Sequence, residues 1–126
     1  MQIVIADNQA QHRTALRLLL EAEEGMRVVG EADEAELLLA TVGLTHPDLV
    51  LLDWALPGLR STALLPALRL LSPGVKIIAL SGRTETQQIA LTAGVDGFIS
   101  KGDPPERVLT TLRAIIIAAP QDGDPA

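Results

Sequence analysis

The stretch "LVLLDWALPG", residues 49–58, carries the reading of the fold. Four aliphatic residues run together without polar alternation and stop at a carboxylate, Asp53; Pro57-Gly58 then signals a turn. A short run of this kind suits a strand buried on both faces, as in a parallel sheet. Four further short runs flank it: "IVIA" (3–6), "RVVGEA" (27–32), "KIIALS" (76–81) and "GFIS" (97–100). Most are rich in β-branched residues.

Segments with helical spacing lie between and after these runs. Leu16, Leu19 and Leu20 mark the first, and Leu37, Leu38 and Val42 the second. Leu64, Leu68 and Leu71 mark the third, where Pro66 predicts a late start or a bend, because proline is tolerated in a first turn but not in an interior. Ile89, Ala90 and Ala93 mark the fourth, with Thr84 and Gln87 as its capping box and Gly94 as its stop. The fifth runs from about 104 to about 118, with Asp103 as N-cap, Pro104 at the first helical position and Glu106 completing a box. The order βαβαβαβαβα implies an α/β fold: a parallel sheet with helices on both faces, doubly wound rather than a barrel at this length. Ligands of such sheets bind beyond the carboxyl ends of the strands, near the switch point.

The composition agrees with that reading. A chain of 126 residues fits one domain. Its hydrophobic fraction is 48% but only 2% is aromatic, so the core is aliphatic. With no cysteine there is neither a disulfide framework nor a thiolate metal site, which agrees with a cytoplasmic location. The net charge of −6 argues against direct nucleic-acid binding. No run approaches a membrane span, and no signal peptide is visible. The last residues, 119–126, are rich in Pro, Gly and Asp and read as a tail or the start of a linker after a domain at 1–118.

Four of the five strand ends carry polar groups: Asp7 and Asn8 after the first, Asp53 at the third, Ser81 at the fourth and Lys101 after the fifth. Singly, each has an ordinary reading: a turn former, a loop hydroxyl, a solvated lysine. Together they converge on one edge of the sheet. Clustered carboxylates repel unless a cation lies between them. Oxygen ligands without Cys or His favour a hard ion, Mg²⁺ (or Mn²⁺) above Zn²⁺. Lys101 adds a fixed charge suited to a phosphoryl group. The Pro-rigidified loop after Asp53 can hold a backbone carbonyl, that of Ala55, at a fixed metal-binding angle.

These elements bring a family resemblance into view. "ADN" (6–8), "LLDWALPG" (51–58), "ALSG" (79–82) and "GVDGFISKGDPPERVLTTLRAI" (94–115), in this order and spacing, resemble the receiver domain of bacterial two-component response regulators over nearly all of residues 1–118. The last stretch and "VVGEADEAE" (28–36) resemble the NarL/LuxR-type subfamily. The resemblance implies a flavodoxin-like (CheY-like) fold with strand order 2-1-3-4-5. It implies a phosphoacceptor signalling domain rather than an enzyme with turnover. Asp53 would accept a phosphoryl group from a sensor histidine kinase or a small phosphodonor. Asp7, Asn8, Asp53 and the Ala55 carbonyl would hold Mg²⁺, and Lys101 would pair with a phosphoryl oxygen. Ser81 and Phe98 would switch the surface formed by the fourth helix, fifth strand and fifth helix. Ala55 and Arg83 would occupy the positions that tune hydrolysis; Ala55 cannot orient an attacking water and Arg83 would partly cover the site, which implies slow self-dephosphorylation. Relatives carry a C-terminal helix-turn-helix DNA-binding domain; this chain shows no recognition helix and no basic patch. The apolar run Ile115–Ala118 fits either burial or a homodimer contact.

One departure stands out. The family usually places two acids after the first strand, and here the second is Asn8. The site loses one formal charge toward Mg²⁺, although a carboxamide oxygen can still coordinate. Two readings follow: a phosphorylated receiver with weakened metal binding, or a receiver-fold interaction module that works without phosphate. A phosphatase on the same fold is a third class, and nothing in the sequence resembles its cap domain or substrate pocket.

Overall fold

The computed structural model describes residues 1–118; the expected tail at 119–126 lies outside them. The five apolar runs form five strands, β1 (Gln2–Ala6), β2 (Arg27–Ala32), β3 (Leu49–Asp53), β4 (Lys76–Ser81) and β5 (Gly97–Ser100). They alternate with α1 (Ala10–Glu21), α2 (Ala35–Thr45), α3 (Ser61–Leu71), α4 (Thr86–Ala93) and α5 (Pro105–Ala118). The sheet is parallel with order β2-β1-β3-β4-β5. The order reverses beside β1, so the switch point lies between β1 and β3.

Strand side chains alternate between two cores. Val4, Ala6, Val50, Leu52, Ile77 and Ala79 pack with Leu38, Leu64, Leu68 and Ala90, under α2, α3 and α4. Ile3, Ile5, Leu49, Leu51, Ile78, Leu80 and Ile99 pack with Leu16, Leu20, Val108 and Leu112, under α1 and α5. β3 is buried along its whole length, as its unbroken apolar run requires. Gly97 permits a close approach of α5: a Cβ there would collide with Ile115 Cδ1.

Several local expectations change. The third helix does not start late; it begins at Ser61 and carries Pro66 inside it. The carbonyl that Pro66 cannot satisfy belongs to Thr62, an exposed first-turn residue whose carbonyl is open to solvent. Thr84 and Gln87 form no capping box; α4 starts at Thr86 without a side-chain cap, and the Gln87 N–H donates to the Thr84 carbonyl. Gly94 does end α4, at φ 107°. α5 starts one residue later than expected, at Pro105, because Asp103 accepts from the Ser100 N–H at 3.2 Å and so closes the preceding turn. Leu37 is 45% exposed and Ile89 61% exposed, so neither helix buries all its apolar markers. Ile115 and Ile116 are half-buried; the side chains of Ile117 and Ala118 lie outside the described residues.

Candidate functional site

Strand parity builds the site. Continuing the α1/α5 side of β1 past Ile3 and Ile5 leads to Asp7; continuing Leu49 and Leu51 leads to Asp53; continuing Ile99 leads to Lys101. The three therefore meet at one sheet edge. Asp7 is 0% exposed and Asp53 1% exposed. Lys101 Nζ donates to Asp53 Oδ2 at 2.9 Å and lies 3.2 Å from Asp7 Oδ2. One ammonium thus bridges two buried carboxylates, relieving a repulsion that burial would otherwise magnify.

The remaining lone pairs are arranged locally. Asp7 Oδ1 accepts the Gln9 N–H at 2.8 Å, and Asp7 Oδ2 takes a short contact from His12 Nδ1. An ionised carboxylate can only accept, so the imidazole presents an N–H there. Asp53 Oδ1 accepts the Ala55 N–H at 2.9 Å. Burial pushes the Asp7 carboxyl up, but the Gln9 N–H, His12 and Lys101 together outweigh it and hold it below the ordinary carboxylate range. For Lys101, burial pulls down and Asp53 and Asp7 pull up more strongly, leaving the ammonium raised.

The other expected residues sit around this core. Asn8 is exposed, and among the described residues its side chain forms no hydrogen bond. Ser81 is buried but continues the opposite parity, after Ile77 and Ala79; its hydroxyl accepts the Arg83 N–H at 3.1 Å and makes no bond to Asp53 or Lys101. Phe98 is half-buried against the α2/α3/α4 core. Arg83 does not cover the site: its Nε donates to Glu85 at 3.0 Å, out in solvent. Backbone bonds fix the edge, with the Trp54 N–H donating to Leu80 and the Lys101 N–H to Ser81.

The donors present fit a hard divalent cation. They are all oxygens, two of them on buried carboxylates whose combined charge exceeds that of the one ammonium between them. The Ala55 carbonyl accepts no hydrogen bond among the described residues. No cluster of three or more His, Cys, Asp or Glu forms a metal site among those residues, so carboxylates alone would fill only part of a cation's shell. Sequence reading missed His12 and Gln9. Their only signal was their place in the first turn after Asp7, where a helix folds back over the strand end.

Comparison with known proteins gives the same result. The family model described as the response regulator receiver domain matches residues 3–113. The chain is 30% identical over 117 residues to the response regulator UvrY of Escherichia coli, covering 91% of this chain and 54% of that protein. It is 32% identical over 112 residues to the nitrate/nitrite response regulator protein NarL of Escherichia coli, covering 87% and 52%. It thus spans about half the length of these relatives. Among solved structures, a LuxR-family two-component response regulator from Aurantimonas superposes with TM-score 0.82 at 25% identity, over 92% of this chain and 84% of that one. The family model and these relatives place the chain in the response regulator receiver domain family, among its NarL/LuxR-type members.

Proposed function

We propose that the chain is a phosphorylatable receiver unit, residues 1–118, followed by a tail or the start of a linker at 119–126. Asp53 is the phosphoacceptor. Its carboxylate oxygen attacks the phosphorus of a phosphohistidine on a sensor kinase, or of an acyl phosphate, and the leaving imidazole or acetate takes the electron pair. The observation that carries this reading is the Lys101 ammonium 2.9 Å from a nearly inaccessible Asp53 carboxylate. Lys101 moves its hydrogen bond onto a phosphoryl oxygen, and the Ala55 N–H keeps the carboxylate oriented. Asp7, Asp53, the Ala55 carbonyl and Asn8 would hold Mg²⁺, which when bound neutralises charge at the transferring group. Ser81 then exchanges the Arg83 amide for the phosphoryl group, and Phe98 follows into the space behind it. That change of packing alters the α4-β5-α5 surface toward an output domain, a helix-turn-helix regulator of transcription in a longer cytoplasmic protein.

Intact mass after incubation with acetyl phosphate and Mg²⁺ tests this. The parent should gain one phosphoryl group and Asp53→Ala none. An unmodified parent at tens of millimolar Mg²⁺ would leave the second reading, a phosphate-independent interaction module. Asn8 favours that reading, because it lowers the charge available to a metal.

A further inference from the structure

We propose that Gln9 sets the lifetime of the aspartyl phosphate by orienting the water that hydrolyses it. This rests on Asp53 being the phosphoacceptor. Gln9 is the N-cap of α1, yet its side chain makes no cap hydrogen bond. It turns instead to the charge cluster, where its Oε1 lies 3.4 Å from Lys101 Nζ. The same Nζ is 2.9 Å from Asp53 Oδ2, so carboxamide and phosphoacceptor share one ammonium. Asp53 and Asp7 are buried, whereas Gln9 is exposed on the rim. Water must reach a phosphoryl group on Asp53 from the solvent side of the cluster, where Gln9 stands.

The two positions implied by the resemblance do not supply that function. Ala55 offers a methyl group, and Arg83 is tied to Glu85. By themselves they predict a slowly hydrolysed phosphate. A carboxamide carries both an acceptor and a donor. Its Oε1 accepts a hydrogen from the attacking water while its Nε2 donates to a phosphoryl oxygen, the positioning role that a glutamine can fill in phosphoryl hydrolysis. The water oxygen bonds to phosphorus and the bond from phosphorus to the Asp53 oxygen breaks. That electron pair stays on the Asp53 carboxylate, and both water protons leave with the released dihydrogen phosphate.

The test measures decay after the phosphodonor is removed, followed by intact mass in the presence of Mg²⁺. Because it starts from molecules already labelled, a variant that labels poorly still yields a rate. Gln9→Met, which keeps the shape and removes both polar groups, should slow decay about fivefold, the size of one ordinary hydrogen bond lost in the transition state. Gln9→Glu, which keeps an acceptor oxygen, should decay faster than Gln9→Met. Thermal midpoints of both variants should match the parent. Equal decay of Gln9→Met and parent overturns the role of Gln9 while leaving Asp53 as acceptor. A parent that takes no label overturns both.

Discussion

Lys101 Nζ and Asp53 Oδ2 stand 2.9 Å apart, joining residues 48 positions distant in sequence at a site where the carboxylate is almost wholly buried. Asp7 shares the same ammonium. Removing Lys101 therefore strands two charges rather than one. Lys101→Met should destabilise the fold by about 2–4 kcal/mol in urea unfolding. Asp53→Asn, which leaves Asp7 with the ammonium to itself, should be neutral or stabilising by about 1 kcal/mol. A Lys101→Met variant as stable as the parent would contradict the bridge.

The same cluster sets a pH profile. Asp7 is held below its ordinary value, so its contribution is complete above that value, near 3.8, and is lost as pH falls through the lower folded value. Lys101 is held above its ordinary value, so its contribution is complete below about 10.5 and is lost as pH rises through the higher folded value. Between these limits neither group makes stability vary. Urea midpoints measured across pH should show both losses in the parent, and the alkaline loss should shrink in Lys101→Met.

Asn8 is exposed beside Asp7, and the proposed function counts its carboxamide among the Mg²⁺ ligands. Asn8→Asp should tighten Mg²⁺ binding about tenfold through the added charge. Trp54, half-buried and next to Asp53, reports it: its fluorescence should titrate at lower Mg²⁺ in the variant and return to the starting level with chelator. Identical titrations would place Asn8 outside the shell.

Packing of α5 on β5 gives a fourth expectation. Gly97→Ala brings a Cβ against Ile115 Cδ1 and should cost about 1–2 kcal/mol. Ile115→Val removes the offending methyl, so the cost of Gly97→Ala should fall in that background. A double-mutant cycle with no coupling would contradict the contact.

Much of this was legible in the residues. Unbroken aliphatic runs such as Leu49–Leu52 left little choice but buried parallel strands, and the polar residues that stop them named the site edge. Phase came from the structure: Ile3, Leu49 and Ile99 share one face, and counting by twos from them reaches Asp7, Asp53 and Lys101, whereas Ser81 falls on the other count. What stayed hidden depends on choices between nearly equal local partners. Asp103 satisfies the Ser100 amide rather than capping α5, and Arg83 prefers Glu85 to the site. His12 and Gln9 are single polar residues whose meaning appears only when α1 is seated over β1.

The backbone bonds from Trp54 to Leu80 and from Lys101 to Ser81 have a practical consequence. They continue the β3–β4 and β4–β5 ladders into the loops, so the Asp53 carboxylate and the Lys101 ammonium approach each other in a molecule whose strands are threaded in the native frame. A slip of one residue would send Asp53 or Lys101 to the wrong layer. On the proposed function, the initial rate of covalent labelling at Asp53 also reads the share of correctly threaded molecules, and in a destabilised variant that rate should fall in step with the native population.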